Sequence, residues 1–125
     1  MTGYIVFAHG SPVESANEAV RAVAAELAGR SGLDATAAFL EGGQPDLLGA
    51  VDSMADRVSR VVVIPYFLTL GLHLQRDLPR LADEVRRAHP GLEIAVTPPL
   101  DGHPAMVDVL LARAREAGAG EAEVA

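Results

Sequence analysis

Val61-Val62-Val63-Ile64-Pro65 is the stretch that most narrows what this chain can fold into. Four consecutive β-branched side chains are stiff at χ1 and fit a pleated strand better than a helix. The run has no polar residue at alternate positions, which suits a strand buried on both faces of a parallel sheet. Pro65 cannot donate a ladder hydrogen bond and closes the strand.

Similar segments recur on either side. Tyr4-Ile5-Val6-Phe7-Ala8 reads as a first buried strand, ending at His9-Gly10-Ser11-Pro12. Ser11 can cap the next helix, and Pro12 fits its first turn, where a missing N–H is harmless. From Ser15 to Arg30, the residues Ala16, Ala19, Val20, Val23, Ala24 and Leu27 mark one helical face. Leu33 to Leu40 is a shorter second strand that runs into Glu41-Gly42-Gly43-Gln44-Pro45. A helix with Leu47, Leu48, Val51, Met54, Ala55 and Val58 at helical spacing follows. After Pro65 the chain stays apolar through Tyr66, Phe67, Leu68 and Leu70, turns at Gly71 and presents His73. Leu74, Leu78, Leu81, Ala82 and Val85 define a third helix ending near Ala88, with Pro79 expected within its first turn or so. Leu92 to Thr97 is a fourth strand, and a last helix runs from about Pro104 to Ala117. Residues 114–125 read as a fraying acidic end.

Strand and helix thus alternate four times. That implies an α/β fold, a four-stranded parallel sheet with helices on both faces and right-handed crossovers, in one domain spanning residues 1–125. In such sheets ligands bind outside the carboxyl ends of the strands. The junctions there read His9-Gly10-Ser11, Glu41-Gly42-Gly43, the loop to His73, and Asp101-Gly102-His103. Three of the four histidines fall at those junctions, and His89 alone sits at a helix end.

Composition removes several function classes. The net charge of −7 argues against nucleic acid as a partner. With no cysteine, disulfides, thiolate ligands and cysteine nucleophiles are excluded. The start lacks the basic region of a signal peptide and no apolar run reaches membrane-spanning length, so a soluble cytoplasmic protein without a membrane partner is expected. Neither a phosphate-binding glycine signature nor a Gly-x-Ser-x-Gly elbow occurs.

Imidazole and carboxylate without thiolate suit a borderline divalent metal, and the same groups serve acid–base chemistry near neutral pH. His9, His73 and Glu41 are the candidate reactive residues, with His9 and His73 as candidate metal ligands. Taken singly, a strand-end histidine or a glutamate before two glycines fits a polar turn as well. His73 has less reason to be polar, because Leu70, Leu72 and Leu74 surround it. Asp77 stands four residues on, a spacing that puts the two side chains on one helix face. Arg76 and Arg80 could grip substrate carboxylates, although Arg80 also fits a solvated charged face. His103 before Pro104 fits a capping or loop residue better than a ligand, and His89 fits a helix-terminal cation.

These segments also resemble a known family. His9-Gly10-Ser11, Phe39-Leu40-Glu41, and Pro65-Tyr66-Phe67-Leu68 with Gly71, His73, Asp77 and Pro79 resemble the sirohydrochlorin chelatases, as do Pro99-Leu100 and His103-Pro104. The likeness covers about Tyr4 to Arg113. It implies a single lobe of a class II chelatase-like fold, working as a homodimer because longer members carry two lobes in one chain. It further implies insertion of cobalt, iron or nickel as substrate into sirohydrochlorin or a close tetrapyrrole, as in cobalamin or siroheme synthesis, with no organic cofactor. His9 and His73 would handle the metal with help from Glu41. Ser11, Tyr66, Phe67, Leu68, Gly71 and Arg76 would contact the macrocycle. A carrier on the same scaffold that binds tetrapyrrole or metal without turnover is the alternative expectation.

Overall fold

The computed structural model describes residues 1–118. In chain order the elements are β1 (Thr2–Ala8), α1 (Glu14–Ser31), β2 (Asp34–Phe39), α2 (Leu47–Met54), β3 (Arg60–Pro65), α3 (Leu72–Ala88), β4 (Glu93–Val96) and α4 (Ala105–Glu116). The strands form one parallel sheet in the order β2-β1-β3-β4. Alternating strands and helices therefore give the expected α/β sheet.

Two apolar clusters divide along the pleat. Ile5, Phe7, Ala38, Val61, Val63 and Ile94 point to one face and are sealed by Leu47, Val51 and Met54 of α2 and Leu78 and Val85 of α3. Val6, Ala8, Ala37 and Phe39 point to the other face, against Ala24, Val20 and Leu27 of α1. Each fully buried Val, Leu or Phe contributes about 1.5–3 kcal/mol relative to exposure, so the first cluster carries most of the stability.

Four details differ from the sequence expectation. Helix α1 starts at Glu14, with Val13 at its cap and no capping side chain, so Pro12 lies outside it. The Ser11 hydroxyl accepts from the Val13 N–H at 3.0 Å, which shapes the preceding turn and does not cap the helix. The buried face of α1 is rotated as well. Asn17 and Ala24 are buried, while Ala16, Ala19 and Val23 are exposed, because the polar Asn17 occupies the inner position at the top of the helix. Third, α3 begins at Leu72, where the Gly71 carbonyl accepts from Gln75 N–H at 3.0 Å, and this places Pro79 inside the helix. Pro79 is exposed, so water can satisfy the Gln75 carbonyl that loses its partner.

The fourth concerns β3. Val61 and Val63 are buried, but Val62 and Ile64 are only half-buried, and so are Tyr4 and Ala95 beside Val62 in register. Helix α1 covers the β1 and β2 half of that face, and the remaining half is bare. Helix α4, which could cover it, contains no buried residue. It is helical through Glu116, past the expected onset of fraying at Ala114, and the rest of the expected acidic end, residues 119–125, lies outside the described residues.

Candidate functional site

The carboxyl edge of the sheet carries two very different constructions. The first follows the central strand β1. Beyond the last ladder pair, Leu40 N–H donates to the Ala8 carbonyl and Glu41 N–H to the His9 carbonyl, both at 2.9 Å. The parallel pairing of β1 and β2 therefore continues two residues into the loops and carries His9 and Glu41 out side by side. His9 Nε2 lies 3.6 Å from Glu41 Oε1, with both side chains more than half exposed.

Backbone fit sets this pairing. Gly10 has φ +92°, and a Cβ there would sit 1.5 Å from the Glu41 carbonyl oxygen. Gly42 has φ +69°, and its Cβ would come within 3.0 Å of Ser11 N. Only glycine allows both the left-handed conformation and the contact. Between the two loops stands Asn17, 1% exposed and the sole buried polar or charged residue among those described. Its Oδ1 accepts from Ser11 N–H at 3.0 Å, and its Nδ2 donates to the carbonyls of Ser11 at 2.8 Å and Gly42 at 2.9 Å. Nothing in the sequence reading pointed to Asn17. The available signal was an asparagine in phase with Val20, Ala24 and Leu27 where an apolar residue would be expected.

An ionic layer lies on the outer side. Arg21 pairs with Glu14 and Glu18, donates to the Gln44 carbonyl at 3.1 Å and stands 5.2 Å from the Phe39 ring centroid. Hydrogen bonding from Arg21 and then Asn17 holds the Glu14 carboxyl below its ordinary range. The same Glu14 contact raises Arg21.

The second construction follows β3. Tyr66 N–H donates to the Phe7 carbonyl at 2.7 Å, and the carbonyls of Phe67 and Leu68 accept from Leu100 and Asp101 N–H at 2.9 and 2.7 Å. Phe67 turns inward, its ring centroid 6.2 Å from that of Phe7. Leu68 and Leu72 are instead 65% and 78% exposed, so the open apolar surface of this loop is theirs, with part of Tyr66. Gly71 is the cap of α3 in an extended conformation. His73 is the second residue of the helix and is not delivered by the loop itself. Its Nδ1 lies 3.1 Å from Arg76 Nη2. A guanidinium only donates, so Nδ1 accepts and a neutral ring carries its proton on Nε2. Asp77 pairs with Arg80 at 3.8 Å, and no hydrogen bond joins it to His73 among the described residues. Arg80 also binds Glu84 at 3.0 Å, the solvated charged face the sequence suggested.

The remaining histidines behave as expected. His103 Nδ1 accepts from Ala105 N–H at 3.1 Å at the start of α4. His89 closes α3 at the amino side of the sheet, 2.6 Å from Asp52. Among the described residues no three His, Asp or Glu side chains converge as a metal cage, and at this edge of the sheet His9 and Glu41 are the imidazole and carboxylate brought together. His73 leaves from the adjacent strand at the same edge of the sheet.

The family model described as CbiX matches residues 3–117. The chain belongs to the CbiX family. Its relatives include the sirohydrochlorin cobaltochelatase of Methanococcoides burtonii, 29% identical over 91% of this chain and 95% of that protein. The sirohydrochlorin cobaltochelatase of Sulfolobus acidocaldarius is 26% identical over 94% and 93%. Among solved structures, a CbiX protein assigned to cobalamin (vitamin B12) biosynthesis in Marinobacter aquaeolei superposes over the whole of both chains, with TM-score 0.78 and 26% identity. SirB of Bacillus subtilis, solved with Fe3+, matches with TM-score 0.83 at 19% identity, across 94% of this chain and 47% of its own. That likeness is one of fold, and this chain corresponds to about half of SirB. The membership borne by His9-Gly10-Ser11 and the Pro65–Pro79 segment therefore holds, and this CbiX chain has the α/β lobe expected of it. No helix among the described residues is long and apolar enough to cross a membrane.

Proposed function

We propose that this CbiX chain is a sirohydrochlorin metal chelatase that inserts cobalt, iron or nickel as the divalent ion into sirohydrochlorin or a close tetrapyrrole. The observation that carries the reading is the His9–Glu41 pair, 3.6 Å apart on loops locked together at the carboxyl edge of the central strand. Full-length relatives named as sirohydrochlorin cobaltochelatases point the same way. Insertion exchanges one divalent ion for two pyrrole protons. The incoming ion must lose water ligands, for which an imidazole and a carboxylate substitute, with metal to nitrogen distances of about 2 Å. His9 and Glu41 are assigned to hold the ion, and His73, whose Nδ1 carries an available lone pair once Arg76 swings away, to guide it or take up a pyrrole proton. Leu68, Leu72 and Tyr66 offer an apolar bed for the macrocycle, with Ser11, Gly71 and Arg76 at its margin. Phe67 acts from beneath, through the core. No organic cofactor enters this scheme, which is placed in the cytoplasm.

The test is multiple turnover. Sirohydrochlorin supplied in excess with Co2+, Ni2+ or Fe2+ should change its visible spectrum well beyond one equivalent per chain. Stoichiometric uptake alone would replace the enzyme with a carrier.

The proposal includes a homodimer. Its support is the bare half-face of the sheet and the exposed Val107, Leu110 and Leu111 of α4, together with a hollow of about 660 Å3 between them lined by Ile64, Pro99, Leu100, His103 and Met106. Parallel sheets need both faces covered. This chain corresponds to 47% of SirB, whose single chain is thus long enough for two units of this size, and a second copy would supply the same length. Sedimentation of the purified protein should give twice the chain mass, and Leu110→Glu should halve it. A wild-type monomer with full turnover would remove the dimer from the scheme.

A further inference from the structure

We infer that Asn17 is a positioning residue for the metal-handling pair, and that it works only as a carboxamide. The inference deepens the chelatase reading and rests on it. Asn17 touches neither His9 nor Glu41. It grips the next residue but one after His9 on one side, Ser11, and the residue after Glu41 on the other, Gly42. Apart from the exposed His9–Glu41 pair, the two loops are otherwise joined by backbone bonds, through Leu40 to Ala8 and Glu41 to His9. Those bonds fix the register of the loops, whereas the direction each loop takes beyond them is fixed at Asn17.

The three backbone contacts have a fixed polarity, and a longer fourth runs from Nδ2 to Glu14 Oε2 at 3.4 Å. Ser11 N–H requires an acceptor, and the carbonyls of Ser11 and Gly42 both require a donor. A carboxamide supplies one acceptor and two donors in one rigid plane. Aspartate has the same shape but only accepts when ionised, so it would face two carbonyl oxygens with no hydrogen between. Alanine would leave three partly buried backbone groups without their present partner. The site leaves little room for adjustment, because a Cβ on Gly43 would already lie 3.0 Å from Asn17 Nδ2. Metal affinity is sensitive to such supporting contacts, and their loss typically weakens binding about 10- to 100-fold.

Direct binding of Co2+, followed by its visible absorption in titrations well below the melting temperature, tests this without relying on turnover. Wild type, His9→Ala, Asn17→Asp and Asn17→Ala are compared. The expected result is that His9→Ala abolishes the saturable site, and that both Asn17 variants bind at least about tenfold more weakly while still folded. Sirohydrochlorin kinetics should show the same variants raising KM for the metal more than they lower kcat. Wild-type affinity in folded Asn17→Asp would overturn the inference and leave the site assignment standing. Unchanged binding in His9→Ala would remove the site assignment and the inference with it. Should neither Asn17 variant fold, Zn2+ titration of the 15N-labelled wild type decides. The Asn17 side-chain amide signals should shift along the same binding curve as the His9 ring, and their indifference to zinc would overturn the proposal.

Discussion

A loop and a helix start at one edge of the sheet each present a histidine, and they are built in opposite ways. Around His9 the support is backbone against backbone, with two glycines in left-handed conformations and a buried carboxamide between the loops. Around His73 the support is a helix start in open solvent, with Leu72 78% exposed and Arg76 as the hydrogen-bond partner of the ring. A group meant to keep one geometry gains from the first design, because no reorganisation is needed when the ion arrives. A group meant to meet a large flat substrate, and to exchange a proton with it, gains from the second. On the proposed reading, the His9 loop suits ion retention and the α3 start suits substrate traffic.

The sharpest way to break this contrast is to add one methyl group to each side. Gly10→Ala would place Cβ 1.5 Å from the Glu41 carbonyl oxygen at φ +92°, which the locked loops cannot absorb. The expected loss is more than about 3 kcal/mol, read by chemical or thermal denaturation. Gly71 has ordinary φ −67°, and a Cβ there meets nothing within 4 Å. Gly71→Ala should therefore change stability by less than about 0.5 kcal/mol. Equal effects from the two substitutions would mean that the loops are not held differently at all.

Next in size is the loss of the second imidazole. His73→Ala removes an exposed side chain, so the fold should be untouched, while metal insertion should slow by roughly 100-fold, within the usual range for a proton-transferring group. The Co2+ affinity of the His9 site should hardly move. A large drop in that affinity would make His73 a ligand on equal terms with His9 and would merge the two roles.

The parts of the molecule that could be read from the chain are those where one side chain type settles the structure. The β-branched run at 61–64 and the Leu74, Leu78, Ala82, Val85 stripe are of this kind, and they form the expected strand and the buried face of the expected helix. The errors fall where neighbours decide. Val62 and Ile64 are apolar enough for a doubly covered strand, but their second cover depends on where α4 goes, and nothing local encodes that. On α1 the expected Val20, Ala24 and Leu27 do face the core, whereas Ala16, Ala19 and Val23 are exposed and Asn17 completes the inner stripe through its bonds to the two loops. His9 and Glu41 could be nominated as strand-end residues. Their apposition could not, since it depends on a Gly10 to Glu41 backbone contact between segments about thirty residues apart. Glycines at 10, 42 and 43 were the trace of that contact in the sequence.

A smaller effect is expected at Arg76. Its guanidinium donates to His73 Nδ1, both groups are exposed, and solvent holds this charge-assisted hydrogen bond to about 1 kcal/mol net. Arg76→Ala should lower turnover about fivefold through a less ordered ring. Arg76→Lys, which still donates, should recover part of it. If both variants lose activity equally while KM for the tetrapyrrole rises, Arg76 acts on substrate carboxylates and not on the ring.

The smallest effect belongs to the locked side and appears only in acid. Glu14 is exposed, and its carboxyl is held below the ordinary range chiefly by Arg21 and then by Asn17. A folded pKa below the unfolded one means that the ionised form stabilises the fold above the unfolded value, and that this contribution disappears as pH falls through the folded value. The wild type should therefore exceed Glu14→Gln slightly in thermal midpoint near neutrality. The gap should close progressively below about pH 4, where an unfolded glutamate is already protonating. Salt should shrink the gap at neutral pH too, because the pair is exposed to screening. Arg21 also pairs with Glu18 and the Gln44 carbonyl, so part of its anchoring survives the substitution and keeps the difference small. A gap that persists unchanged to pH 3 would show that the Glu14 side chain acts through shape and not through charge. The ionic layer outside Asn17 would then play no part in holding the His9 and Glu41 loops together.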